Sequence, residues 1–228
     1  MASEFQLLER SVYVHRDMMK FRKGSSKITV CSCAERCGDS VDSICDDMDC
    51  ENRASRVECL MSVCNKDKCR NMRLQTERHK KLERFDAGGK GYGVRVMEPA
   101  AEGELVAEYV GEVINREIFD QRLKSYQGKH KHFYFYSLGR NEHSGQDEYI
   151  DACVMGSNTR YLNHSCEPNL ISETWCVDVG PEKRVTFVAL RDIEAGEELT
   201  FDYQYGRKGK ERIRCLCGAA TCQGFIGG

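Results

Sequence analysis

Eleven of the fourteen cysteines in this 228-residue chain fall into two compact groups near opposite ends. The first group is Cys31, Cys33, Cys37, Cys45, Cys50, Cys59, Cys64 and Cys69; the second is Cys215, Cys217 and Cys222, spaced C-x-C-x4-C. Three clustered cysteines are one thiolate short of a tetrahedral zinc site. Cys166, in the tetrapeptide Asn163-His164-Ser165-Cys166, stands far away in sequence and could supply the missing ligand. A site built that way pins the C-terminal tail against the Asn-His segment.

Disulfides are the competing use of so many cysteines. Secreted disulfide scaffolds are usually shorter and begin with a cleavable apolar segment. Met1 to Lys20 is amphipathic and charged, so no signal peptide is expected, and no apolar run is long enough to span a bilayer. A reducing compartment fits, where clustered thiolates bind metal instead of oxidising.

The length suits one sizeable domain with small appendages, and 40% hydrophobic content supports a real core. Formal charge is −2; eleven zinc-bound thiolates would add eleven negative charges and three zinc ions return six, giving −7. An acidic body suits a basic peptide substrate better than DNA. The basic runs Arg78–Arg84 and Arg207–Arg214 could touch phosphate locally, although each alone reads as a solvated helix face or a soluble loop.

Residues 1–26 read as partly helical, with Phe5, Leu8, Val12 and His15 near helical spacing before Gly24-Ser25-Ser26 breaks the pattern. From Ile28 to about Gln75 the chain is cysteine-dense with few large apolar side chains, so metal must hold it together. From Phe85 to Tyr203 short strands take over, at Gly91–Val96, Glu104–Gly111, His132–Leu138 and Val185–Leu190. Ile114–Tyr126 is the one good helix in that part, and Gly139–Asp147 is a polar loop.

Three motifs occur in order: Gly89-Lys90-Gly91-Tyr92-Gly93, Arg160-Tyr161-Leu162-Asn163-His164-Ser165-Cys166-Glu167-Pro168-Asn169, and Glu198-Leu199-Thr200-Phe201-Asp202-Tyr203. They resemble the signatures of the SET-domain protein lysine methyltransferases. The leading cysteine block resembles the AWS module and Cys215 to Gly228 the post-SET module. This three-part arrangement is similar to the enzymes that methylate lysine-36 of histone H3, and the ending from Gln204 is most like their trimethylating branch. The resemblance implies a mostly β SET fold with a pseudoknot, between two zinc modules. It divides the chain into a helical flank (1–26), an AWS module (27–77), a SET domain (78–203) and a post-SET module (204–228).

The resemblance also assigns residues. S-adenosylmethionine would contact Lys90, Gly91 and Tyr92, then His132, Phe133 and Tyr134, then Arg160, Asn163 and His164, with Ile213 and Leu216 flanking the adenine. Glycines let the main chain approach a ligand closely. Tyr203 would be catalytic with Tyr134, and Phe201 would tune how many methyls are added, leaving room for at least two. One zinc would take Cys31, Cys33, Cys45 and Cys50; a second would share Cys45 and take Cys59, Cys64 and Cys69; a third would take Cys166, Cys215, Cys217 and Cys222. Cys37 is left as a spare thiol or as a ligand that removes the need for sharing, and Cys153 and Cys176 as buried free thiols.

The function so implied is a nuclear, chromatin-bound histone methyltransferase, monomeric and not membrane-bound, whose partners are the histone H3 tail, the nucleosome and nucleosomal DNA through the basic segments. Competing readings are another lysine target, an inactive SET-like chromatin-binding module, and a zinc-dependent nucleic-acid binder. The last predicts a strongly basic domain, against the acidic balance found. Tyr205–Arg214 holds two glycines and five basic residues, and reads either as a linker or as a gate with Arg207 in the lysine channel.

Overall fold

The computed structural model describes residues 5–15, 31–33, 35, 44–46, 49–61, 64, 67–76, 79–127, 134–141, 144–177, 182–204 and 213–226. In chain order these form β1 (Gln6–Leu7), β2 (Val12–Tyr13), the short helix α1 (Glu51–Ala54), β3 (Leu82–Asp86), β4 (Tyr92–Val96), β5 (Leu105–Tyr109) and β6 (Gly111–Asn115). Then follow α2 (Arg116–Tyr126), β7 (Phe135–Arg140), β8 (Asp147–Gly156), β9 (Asn163–His164), β10 (Leu170–Cys176), β11 (Lys183–Ala189) and β12 (Thr200–Phe201). His132, Phe133, Cys37, Arg207 and most of the Tyr205–Arg214 segment lie outside the described residues.

One sheet runs β1-β8-β6-β2, with β7 also paired to β8; a second runs β5-β11-β10-β12-β9; β3 and β4 form a separate hairpin. Val106, Val113, Leu170, Val185, Phe187 and Leu199 meet between them with almost no exposure. Burying each such side chain contributes about 1.5–3 kcal/mol. In the second sheet β12 runs parallel to both β9 and β10 and lies between them. A later strand is thus inserted between two earlier ones, a strand order consistent with the pseudoknot that the resemblance implies.

The helix starts two residues later than its apolar spacing indicates. Asn115 accepts a hydrogen bond from the Ile118 amide at 3.0 Å, so the chain stays in β6 until that cap. The partly helical flank differs more. Among its described residues, β1 pairs parallel with β8 and β2 with β6. Side chains from 11 to 15 alternate between half-buried and exposed, the strand period. Ser11, Tyr13 and His15 form the inward row. Ser11 Oγ accepts from the Gly111 amide, and His15 meets Glu148 at 3.0 Å and the Val113 carbonyl at 3.2 Å. Polar contacts anchor this segment, so apolar spacing misassigns it.

The cysteine block docks on the end of β10. The Glu58 amide donates to the Cys176 carbonyl at 3.0 Å and the Cys176 amide to the Arg56 carbonyl at 2.9 Å. The buried Glu58 carboxylate accepts from the amides of Leu74 and Gln75 at 2.6 and 3.1 Å. Burial pushes its pKa up and those donors pull it back. Leu74, Leu105, Trp175 and Val177 close the contact with a small apolar cluster.

Candidate functional site

The β12 insertion brings all three motifs together. Tyr203 follows β12 and Leu162 precedes β9, so the Tyr203 hydroxyl reaches the Leu162 carbonyl and donates to it at 2.8 Å. The Tyr203 amide donates to His164 Nδ1 at 3.2 Å. Since Nδ1 accepts there, the ring proton sits on Nε2, which faces Cys166 Sγ at 3.6 Å. The 3.5 Å approach of Nδ1 to Asp202 is therefore not an ion pair. Burial lowers the His164 pKa, and the nearby Asp202 raises it by less. The His164 side chain thus links the tyrosine backbone to a cysteine ligand.

Asn163 projects from β9 toward the glycine loop, where its Nδ2 donates to the Tyr92 carbonyl at 3.1 Å and to Glu198 at 3.0 Å. Lys90 gives its ammonium to both oxygens of Glu198, at 2.8 and 2.7 Å. Gly91 sits at φ +82°, a region that disfavours a side chain. A Cβ on Gly93 would stand 2.8 Å from the Phe85 ring and 3.0 Å from Glu198, so a side chain there would have to push both aside.

Aromatic rings wall one side. Tyr92 and Tyr134 each meet Tyr161 edge-on, at 5.5 and 6.1 Å between centroids. The Arg160 guanidinium lies 3.8 Å from the Tyr134 ring centre and 4.3 Å from that of Phe5, and donates to the Cys153 carbonyl at 3.0 Å. Its buried Nε has no hydrogen-bond partner among the described residues. Phe201 is 8% exposed and lies 4.9 Å from Tyr203 between ring centres. On the open side, Ile213 and Leu216 are more than half exposed, and Leu216 reaches within 3.6 Å of where a Cβ on Gly89 would sit. Exposed apolar side chains beside an open amide oxygen and a close-approach glycine loop fit an adenosyl amino-acid ligand.

The cysteines form clusters. Four sulfurs around zinc at about 2.3 Å stand about 3.8 Å apart. Cys31 Sγ lies 3.5 Å from Cys45 and 3.8 Å from Cys59, Cys50 lies 4.0 Å from Cys59, and Cys166 lies 3.9 Å from Cys215. Cys31, Cys45, Cys50 and Cys59 form one quartet; Cys45, Cys59, Cys64 and Cys69 form another; Cys166, Cys215, Cys217 and Cys222 form the third. These groupings fit metal, and every described cysteine is a free thiol.

The first quartet holds Cys59 where the resemblance puts Cys33. Cys33 hydrogen-bonds the Cys45 and Cys50 thiols, so it belongs to the same cluster. Both N-terminal quartets share Cys45 and Cys59. Cys45 is held at φ +61°, a conformation costing a non-glycine residue roughly 1–2 kcal/mol.

Among the described cysteines, one thiol of each group is disposed to ionise. Cys59 is pulled down to about 4, first by the Cys69 thiol, with Asn71 and Asn52 helping against burial. Cys217 is pulled down to about 6, because backbone amides and neighbouring thiols outweigh its burial. At the C-terminal cluster the Gln223 amide donates to Cys166 at 3.5 Å and the Gly224 amide to Cys222 at 3.4 Å. Metal there would seat Leu216 beside the glycine loop. Sequence motifs do not reveal the contacts of Glu198 and Phe5 or the place of Cys59 in the first quartet, because each depends on a partner distant in the chain.

Residues 91–204, half of the chain, match the SET domain family, and the chain belongs to that family. It is similar to Histone-lysine N-methyltransferase ASHH2 of Arabidopsis thaliana, 38% identical over 98% of this chain and 12% of that protein. It is 36% identical to Histone-lysine N-methyltransferase, H3 lysine-36 specific, of Saccharomyces cerevisiae, over 99% of this chain and 30% of that protein. To Histone-lysine N-methyltransferase SETD2 of Homo sapiens it is 36% identical, over 98% of this chain and 8% of that protein. The chain therefore spans a third or less of the length of these relatives. In structure it is similar to the methyltransferase domain of human Histone-lysine N-methyltransferase SETMAR, with TM-score 0.72 and 26% identity over 99% of this chain and 90% of that one.

Proposed function

We propose that the chain is the catalytic part of a nuclear, chromatin-acting histone lysine N-methyltransferase that uses S-adenosylmethionine and acts on lysine-36 of histone H3. The observation that carries this is the Tyr203 hydroxyl, fixed by the Leu162 carbonyl one residue before Asn163. When bound, S-adenosylmethionine supplies an electrophilic methyl group on a sulfonium. Asn163, the glycine loop, the Tyr92–Tyr161–Tyr134 wall and the Ile213–Leu216 pair would hold it. The side chains of Lys90 and His164 support this pocket through Glu198 and Tyr203.

A lysine side chain enters as ammonium, with a reference pKa of about 10.4. Phe201, buried in the core, and Tyr203, packed against it, make apolar surroundings that would disfavour that charge and promote loss of the proton. The Tyr203 hydroxyl has given its hydrogen to Leu162, so its lone pairs accept from the amine and aim the amine's own lone pair. Phe201 brings no hydroxyl to hold a water, which leaves room for a second and third methyl.

Three zinc ions, one per quartet, complete the proposal. So does the division into flank, AWS module (27–77), SET domain (78–203) and post-SET module (204–228). Partners are the H3 tail and nucleosome, with DNA met through basic segments, and the chain acts as a monomer. Mass spectrometry of H3 after incubation of nucleosomes with the protein and S-adenosylmethionine tests the reading. Two or three methyls on lysine-36 are expected; methylation only at another lysine overturns the target, and none overturns the activity. Tyr203→Phe is expected to lower turnover roughly a hundredfold while cofactor affinity stays within about twofold. Native turnover would remove the role assigned to the hydroxyl.

A further inference from the structure

Glu198 precedes β12 by two residues and faces two residues of the cofactor pocket at once. Its Oε1 accepts from Asn163 Nδ2 at 3.0 Å, and both carboxylate oxygens accept from Lys90 Nζ. The other hydrogen of the Asn163 amide goes to the Tyr92 carbonyl at 3.1 Å. A carbonyl and a carboxylate can only accept. Rotating the amide by half a turn would set Oδ1 against both acceptors, so the orientation is fixed by chemistry. With Nδ2 occupied on both hydrogens, Oδ1 is turned away from Glu198 and Tyr92 and accepts no hydrogen bond among the described residues.

The Asn163 side chain on its own has no such preference, because its oxygen and nitrogen ends have nearly the same shape. The Tyr92 carbonyl alone would bias it through one neutral hydrogen bond; a charged acceptor is about twice as strong. Lys90 completes the device. Its ammonium balances the carboxylate, which is 27% exposed, and so prevents a bare negative charge from facing the carboxylate end of an amino-acid ligand.

We propose that Glu198, anchored by Lys90, is a positioning residue that holds the Asn163 amide with its oxygen outward, so that the pocket selects a ligand bearing an α-ammonium group. The inference rests on the cofactor reading above and adds to it how the amino-acid end is recognised. Lys90 thereby acts through Glu198 rather than on the ligand.

The test separates the two ends of the ligand. Calorimetry on the folded chain compares S-adenosylhomocysteine with 5′-methylthioadenosine, which keeps the adenosyl group and lacks the amino acid. Glu198→Ala is expected to weaken S-adenosylhomocysteine roughly tenfold and to leave 5′-methylthioadenosine within about twofold. Glu198→Gln keeps an acceptor for Asn163 and is expected to fall between wild type and Glu198→Ala. Unchanged affinity for S-adenosylhomocysteine, or equal weakening of both ligands, overturns the proposal, the second because it marks a purely structural role. Should Glu198→Ala fail to fold, Glu198→Gln and Lys90→Met are read by the same ratio of the two ligands. A wild-type protein that binds neither ligand overturns the cofactor reading itself.

Discussion

Residues 31–76 bury sulfur where residues 82–204 bury carbon. In the first region the buried cluster is six cysteines joined by Ile44 and Met72, with Cys64 half-buried against it; in the second it is mainly Val, Leu, Ile and Phe from the sheets. A hydrocarbon core collapses because water expels it, whereas packed thiols repel one another once ionised and need a cation between them. The two regions share the Cys176 and Glu58 contacts but not their cause of order. On the zinc reading proposed above, the first is conditional on metal and the second is not.

The largest test of that contrast is metal removal. A zinc chelator is expected to abolish hydrogen-exchange protection around Ile44, Cys59 and Cys69 while β5 and β11 stay protected. Structural zinc binding amounts to about 10–16 kcal/mol of folding free energy in small modules. Cys45→Ala should mimic the chelator, since Cys45 belongs to both N-terminal quartets. Uniform loss across the chain would show that the block and body fold as one unit.

Next comes the carbon side. Phe187→Ala, at a fully buried position facing Tyr109 and Phe201, is expected to cost about 3–5 kcal/mol in urea unfolding of the zinc-loaded protein, with zinc content unchanged. Zinc lost in proportion to stability would break the contrast.

How much of this is legible in sequence follows the same division. Cysteine spacing reveals the clusters because sulfur is rare and its chemistry few-valued, and the Asn-His-Ser-Cys motif reveals the site. Membership within a cluster is less legible: Cys59 enters the first quartet through a chain path that spacing does not encode. Strands of the body show in β-branched runs such as Val185–Ala189. β1 and β2 do not, because they are held by edges of distant strands and by polar anchors such as His15. Glu198 is visible as a letter of a motif, yet its partners Lys90 and Asn163 lie 108 and 35 residues away.

The smallest test concerns the charged surface of the body. Arg191 holds the Glu197 carboxyl below the usual carboxylate range, with Asn169 adding a hydrogen bond. A depressed carboxyl stabilises the fold above its unfolded pKa of about 4.3, and that contribution is lost as pH falls through the folded value. Arg191 is mostly exposed, so Glu197→Gln should cost only about 0.5 kcal/mol at neutral pH, a difference that shrinks progressively as the pH is lowered below the unfolded value in matched urea titrations. A difference that persists in acid would mean that shape rather than charge matters there.

The parallel pairing of residues 6–7 with 155–156 sets a timetable for a ribosome making this chain. A parallel edge strand has nothing to add to until its neighbour exists, and here the neighbour emerges 149 residues later, from Gln6 to Met155. At about 5–20 residues per second that is a wait of roughly 7–30 s. Through that interval β1, the strand that will bring Phe5 to Arg160, has no partner strand to join. It is then exposed to whatever binds nascent chains, and the aromatic contact on Arg160 becomes one of the late contacts to form.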